Sequence, residues 1–264
     1  MQVAPPIRIG SVPVGGSFFT LIAGPCSIES SGQFGRVAQA CQSVGAQALR
    51  GGIFKLRTHP QAFQGLGSAA YSIAHEVKSR LKMPLISEIT DPRQIGPLGE
   101  VVDAFQVGTR NMYNYELLKE LGQTQKPVVL KRGHSALIEE WLLAAEYVAQ
   151  AGNRNVILCE RGIRTFERAT RNTLDLSAVA WVKARSEFPV LVDPSHGVGI
   201  PELIPAMCLA SAAAGADGLM LEVHDVPAEA LSDGAQALTP EKLRDIRLKL
   251  DVLLPALGRR WAEA

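Results

Sequence analysis

Short apolar runs recur along the chain, and longer stretches of helical pattern separate them. The runs are FFTLIAG (18–24), ALRGGIF (48–54), PLISEI (84–89), AFQVG (104–108), PVVLK (127–131), NVILCE (155–160), PVLVD (189–193) and GLMLEV (218–223). Most are continuous rather than alternating, as parallel strands covered on both faces should be. Between them the spacing becomes helical. Phe34, Val37, Ala38, Cys41 and Val44 share one helical face, and Gly45 is placed to end that helix. Ser135 is placed to cap a helix that runs to Gly152. Residues 172–187 and 201–214 repeat the plan, and Thr239-Pro240 predicts a helix start that carries to about residue 257. Eight strand–helix units with no linker or low-complexity segment predict an α/β fold. Its form is a (β/α)8 TIM barrel, a single domain over residues 1–264. An open doubly wound sheet accommodates the same order. The segment IRIGSVPVGG (7–16) predicts a short N-terminal β-hairpin that plugs the bottom of the barrel.

Composition narrows the function. The chain has 264 residues, 47% of them hydrophobic, which is enough for a substantial core. A formal net charge of +1 gives no global field toward nucleic acid or membrane, so any anion site must come from local clustering of cations. Cysteines at 26, 41, 159 and 208 form no CxxC pair, which argues against a disulfide framework or zinc ribbon and for a reducing, cytoplasmic compartment. No basic segment followed by an apolar run opens the chain, and no apolar stretch approaches membrane-spanning length.

In barrels, chemistry gathers at the C-terminal ends of the strands. The exits here carry Cys26 after the first strand; Arg50, Lys55, Arg57 and Thr58 in and after the second; Glu88 and Asp91 at the third; Thr109 and Arg110 at the fourth; Lys131, Arg132 and His134 at the fifth. Glu160, Arg161 and Arg164 follow the sixth, Asp193, Ser195 and His196 the seventh, and Glu222, His224 and Asp233 the eighth. Two groupings emerge. Cys26, His196, Glu222 and Asp233 offer a thiolate, an imidazole and two carboxylates, a donor set for a divalent transition metal. Taken singly, Cys26 reads as an ordinary small buried residue, and Glu222 and Asp233 as loop charges. Arg50, Lys55, Arg57, Arg110, Lys131, Arg132, Arg161 and Arg164 are the second grouping, suited to an anionic small molecule with more than one phosphate or carboxylate. Any one of these cations reads equally well as a loop charge paired with Glu88, Glu160 or Asp193. Glu160 and Glu222 are also candidate acid/base groups. His224, two residues beyond Glu222, is a candidate to support it from the same face. His75 sits in a helical pattern and reads as surface, His59 and His134 have no assigned partner, and Cys41, Cys159 and Cys208 read as core.

The motifs GPCSIES, LRGG-x-x-K-x-RT, QVGTRNM, LKRG, CERGIRTFE, DPSHG, LMLEVH and ALSDGAQAL occur in this order over roughly residues 18–240. Together they closely resemble 3-deoxy-D-arabino-heptulosonate 7-phosphate (DAHP) synthase. The resemblance is to the compact subgroup similar to 3-deoxy-octulosonate 8-phosphate (KDO8P) synthase. It implies a metal-dependent, aldolase-type transferase that condenses phosphoenolpyruvate with erythrose 4-phosphate and water at the entry to the shikimate pathway of aromatic amino acid biosynthesis. One divalent ion (Mn, Fe, Co, Zn or similar) would be held by Cys26, His196, Glu222 and Asp233. Phosphoenolpyruvate would be held by Arg50, Lys55, Arg110, Lys131 and Arg161 with the backbone of Thr109, and the aldose phosphate by Arg57 and Thr58. Lys55, Cys26 and His196 would be the catalytic residues, Lys55 delivering the proton to the new alkoxide.

The family's usual Lys-Pro-Arg-Thr tetrad is here Lys55-Leu56-Arg57-Thr58. Leu56 releases a backbone restraint and adds an apolar group beside the acceptor sugar. A sister synthase using arabinose 5-phosphate is the alternative acceptor reading, and a non-catalytic barrel serving as a binding partner is a third. The resemblance also implies a homodimer or homotetramer. The spans outside the barrel predict neither a regulatory nor a chorismate mutase domain.

Overall fold

A computed structural model describes residues 5–263. The chain opens with an antiparallel hairpin of β1 (Ile7–Ile9) and β2 (Val12–Val14). Eight parallel strands follow: β3 (Phe18–Gly24), β4 (Ala48–Arg50), β5 (Leu85–Ile89), β6 (Ala104–Val107), β7 (Val128–Lys131), β8 (Val156–Glu160), β9 (Val190–Val192) and β10 (Gly218–Glu222). They pair in sequence order, and β10 returns to pair with β3, so the sheet is closed. This is the (β/α)8 barrel, not the open sheet. The register is staggered, with Arg50 opposite Ile86 and Gln106 opposite Val129, as the strand tilt of a closed barrel requires.

The connections carry α1 (Ser31–Val44), α2 (Ala70–Leu81), α3 (Ile95–Gly99), α4 (Tyr115–Gly122), α5 (Ile138–Gln150), α6 (Leu176–Arg185), α7 (Pro194–Val198), α8 (Ile204–Ala213) and α9 (Pro240–Ala256). A short β11 (Arg260–Trp261) pairs with the start of β3. Local chemistry sets several bounds. Ser30 caps α1 by accepting from the Gln33 N–H, and Gly45 ends it in the left-handed conformation. Thr239 accepts from the Lys242 N–H, and Pro240 takes the first position of α9. Two expected starts move. Ser135 does not cap α5; the helix begins at Ile138, where the Glu140 carboxylate accepts from the Leu137 N–H. The span 172–187 becomes helical only from Leu176, capped by Asp175, because Thr173 is drawn into an antiparallel bridge with Ile163.

The barrel interior is built in layers with period two. Ile22, Ala48, Ile86, Ala104, Val129, Ile157, Leu191 and Met220, one from each strand, form an apolar ring. Two residues farther along each strand lie Gly24, Arg50, Glu88, Gln106, Lys131, Cys159, Asp193 and Glu222. The intervening residues, such as Leu49, Phe105, Leu130, Leu158 and Leu221, face the helices. Gly24 passes so close to the Arg50 backbone that a Cβ would run into its carbonyl oxygen, so no side chain fits there.

The hairpin closes the other end. Ile9 and Val14 pack fully buried against the apolar ring, and Thr20 Oγ1 donates to the Pro13 carbonyl at 2.8 Å. The plug read from residues 7–16 is present. Replacing Ile9 by Ala should therefore lower stability by about 2–5 kcal/mol. Urea unfolding measures this, and an unchanged midpoint would deny the hairpin its role in closing the core.

Candidate active site

The exit of β9 shows how sequence builds the rim. Asp193 caps the one-turn helix α7, its Oδ1 accepting the His196 N–H at 3.0 Å, with Pro194 at the first helical position. His196 lies one turn on, and its Nδ1 is 2.7 Å from Asp193 Oδ2. An ionised carboxylate only accepts, so Nδ1 carries the proton and Nε2 presents a lone pair. Burial pulls the imidazole down to about 4, against the opposing pull of Asp193 and Glu222, and His196 is neutral at neutral pH. Burial also opposes the charge of Asp193, but His196, Lys131 and Arg50 outweigh it and hold this carboxyl well below the ordinary range. Lys131 Nζ is 2.6 Å from Asp193 Oδ2.

Glu222 ends β10 with its Oε1 3.3 Å from His196 Nε2 and 3.4 Å from Arg50 Nη2. That oxygen is buried and has no hydrogen-bond partner among the described residues. Asp233 stands at φ 53, a left-handed residue that opens the turn 234–236 and aims its carboxylate back at the rim. Cys26 Sγ lies 3.2 Å from Asp233 Oδ2. One ligand atom from each of Cys26, His196, Glu222 and Asp233 lies within 4.8 Å of the others. Burial, then Glu222, pushes the Cys26 thiol up to about 12, with Lys55 and Arg50 pulling the other way. Lys55 Nζ contacts both Cys26 Sγ and Asp233 Oδ2. Burial disfavours its charge, but Cys26, Glu222 and Asp233 raise it above the ordinary lysine range. The set fits a divalent ion on three counts: its donor types, the orphaned Glu222 oxygen, and the cation of Lys55 drawn in among the donors.

Beside this group a cavity is lined by Arg50, Lys55, Arg57, Thr109, Arg110, Lys131 and Arg161. Arg50, Lys131 and Arg161 are 4%, 4% and 2% exposed, so they are largely withdrawn from bulk solvent. Arg50 Nε, Arg57 Nη1 and Arg161 Nε are buried donors without partners among the described residues. Arg57, Thr58 and Arg110 lie farther out, where Arg110 Nε reaches Thr58 Oγ1 at 3.3 Å.

Two of the eight grouped cations lie elsewhere. Arg132 is turned between the strands and the outer helices, where it bonds Glu160 at 2.9 Å and Asp175 at 3.0 Å. It follows inward-facing Lys131 and so faces out. Glu160, as the partner of Arg132 and of the Gly162 N–H, is a buried structural carboxylate and not an acid/base group of the cavity. Arg164 is exposed outside the cavity lining, and its backbone N–H donates to the His134 carbonyl. His224 does not support the Glu222 carboxylate. The strand ends at Glu222, and the His224 ring turns to Glu29, Asp225 and the Val226 N–H. Conversely, Gln106, His134 and Arg171 line the cavity unassigned from sequence. Gln106 was legible as an inward position of its strand; Arg171, in a long irregular segment, carried no such signal.

Both oxygens of Asp193 accept hydrogen bonds, so an amide at this position would turn a donor against a donor. Asp193→Asn should weaken divalent-metal binding about 10- to 100-fold. Competition with a chromogenic chelator measures it, and wild-type affinity would refute the orienting role.

Comparison with known proteins agrees with this geometry. The family model described as DAHP synthetase I family matches residues 6–254. A phospho-2-dehydro-3-deoxyheptonate aldolase from Thermotoga maritima is 44% identical over 252 residues, covering 96% of this chain and 75% of that protein. A 2-dehydro-3-deoxyphosphooctonate aldolase from Koribacter versatilis is 32% identical, covering 93% of this chain and 94% of that one. The crystal structure of the Thermotoga maritima DAHP synthase superposes with a TM-score of 0.93 at 43% identity, over 97% of this chain and 75% of that chain. A truncated form of the Thermotoga maritima enzyme gives 0.90 at 41% identity, over 97% and 94%. With a collinear match over almost its whole described length, a closed barrel and this rim, the chain belongs to the DAHP synthetase I family.

Proposed function

We propose that this chain is a DAHP synthase: it condenses phosphoenolpyruvate with erythrose 4-phosphate and water to give 3-deoxy-D-arabino-heptulosonate 7-phosphate and inorganic phosphate. The observation that carries this reading is the set of unpartnered guanidinium donors on Arg50, Arg57 and Arg161 beside the Cys26–His196–Glu222–Asp233 group. Buried donors without acceptors are costly, and an anionic substrate satisfies them.

The cations fall into two stations. Arg50, Lys131 and Arg161 lie deep, and with Lys55, Arg110 and the Thr109 N–H they hold the carboxylate and phosphate of phosphoenolpyruvate. Arg57 and Thr58, farther out, take the phosphate of the aldose. Holding two mutually repelling anions at bonding distance removes an entropic and electrostatic barrier that is worth about 7–11 kcal/mol in favourable cases. The enol carbon of phosphoenolpyruvate forms the new bond to the aldehyde carbon. The aldehyde oxygen takes a proton from the Lys55 ammonium, which is held protonated by its anionic neighbours. Water adds at C2, and the resulting phosphohemiketal expels phosphate to leave the ketone. Cys26, His196, Glu222 and Asp233 would hold a divalent ion, which would supply Lewis acidity toward the aldehyde oxygen. The apolar Leu56 lines the acceptor side of the cavity, where the family's usual tetrad has proline.

Mixed with phosphoenolpyruvate and each aldose phosphate in turn, the chain should form a 3-deoxyulosonate product with erythrose 4-phosphate. Chelation should abolish turnover, and a divalent metal should restore it. Product with arabinose 5-phosphate alone would overturn the acceptor assignment in favour of the KDO8P-type reaction. Arg57→Ala should raise KM for erythrose 4-phosphate about 10- to 100-fold, the loss of one charged hydrogen bond, with KM for phosphoenolpyruvate unchanged. An equal rise in both would refute the separation of the two stations.

A further inference from the structure

We propose that Gln236 and Arg171 form a two-residue positioning chain that fixes the carboxylate of Glu222 and registers three ligand-bearing elements against one another. Gln236 sits in the turn after Asp233 and is 3% exposed. Its Nε2 donates to Glu222 Oε2, and its Oε1 accepts from Arg171 Nη1. The two partners leave the amide one orientation. A carboxylate only accepts and a guanidinium only donates, so nitrogen must face Glu222 and oxygen must face Arg171. With Oε2 so engaged, Glu222 turns Oε1, which accepts no hydrogen bond among the described residues and lies 3.4 Å from Arg50 Nη2, toward His196 Nε2. The carboxylate is thereby divided into one oxygen held by the protein and one left for an ion.

Arg171 is anchored independently at its base. Its backbone N–H donates to the Val198 carbonyl at 2.9 Å, and the Asn172 N–H donates to that of Gly197 at 3.0 Å. The Asn172 side chain donates to the His196 carbonyl at 2.9 Å. Gly199 ends α7 at φ 69, and a Cβ there would strike the Arg171 side chain. The segment is thus strapped to the turn that carries His196, while the guanidinium meets Gln236 and lies 3.7 Å from Asp233 Oδ1. The β8–α6 segment is thus tied to the α7 turn through its backbone and Asn172, and to the 233–236 turn through the Arg171 guanidinium. Neither Gln236 nor Arg171 is among the four ion ligands; each acts on them from behind, where such partners typically tune affinity 10- to 100-fold.

The inference rests on the four-residue group holding an ion. The test is a Co2+ titration of the full chain, following the thiolate-to-cobalt charge-transfer band and the d–d bands. Gln236→Ala should bind Co2+ about 10- to 100-fold more weakly, with shifted d–d bands but a retained charge-transfer band, because Cys26 is undisturbed. Gln236→Met, which keeps the volume and loses both hydrogen bonds, should behave alike and guards against a folding defect. Arg171→Ala should weaken binding by a smaller factor. The Arg171→Ala/Gln236→Ala double variant should lose less than the product of the two single losses, since Arg171 acts on Glu222 through the amide. Variants that bind like wild type with identical spectra, or two losses that multiply, would overturn the chain. A wild-type protein that bound no cobalt would overturn the metal reading and this inference with it.

Discussion

Compensation of charge within a closed barrel governs this molecule. Arg50, Glu88, Lys131 and Glu222 come from four different strands and Asp193 directly follows a fifth; they share one interior layer, two residues above the apolar ring. None could be buried alone, since an unpaired charge in such a place costs several kcal/mol. Together they are close to neutral. Lys131 meets Asp193, Arg50 meets Glu222, and Asp193 in turn holds His196. The compensation is incomplete by design of position rather than number: Arg50, Arg161 and Glu222 retain buried polar atoms with no partner among the described residues. The rim is left with a residual demand for an anion on one side and a cation on the other.

The same arrangement explains why neighbouring residues have unlike fates. Lys131 and Arg132 are adjacent cations, yet one enters the cavity and the other is locked behind the strands with Glu160 and Asp175. Cys159 and Glu160 divide the same way, the thiol inward and the acid outward. Side-chain alternation along a strand is an exact period of two, so a single step moves a charge from chemistry to architecture.

Lys55 joins the two halves of the site. Its ammonium lies among the donors of the Cys26 group, and its stem lies on the wall of the anion cavity. A divalent ion bound by the four residues would compete with this ammonium for Cys26 and Asp233. An ion held by the group would repel this ammonium and displace it from Cys26 and Asp233.

The barrel was legible from eight continuous apolar runs alternating with helical spacing, because burial on both faces leaves that trace in a linear string. The four prospective ligands and most of the cations were legible because barrel closure puts every strand exit on one rim. Closure was read from the count of eight units, but what excludes the open sheet was not legible; the return pairing of β10 with β3 decided it. Nor were the outward turn of Arg132, the partnering of Glu160, the divergence of His224 beyond the end of β10, or the start of α5 at Ile138 rather than after Ser135. Arg171 and Gln236 lie in irregular segments, where no period relates sequence to direction, and their meeting at Glu222 spans three elements. Periodicity records which face of a regular element is buried; only the folded chain fixes what an irregular segment reaches across to touch.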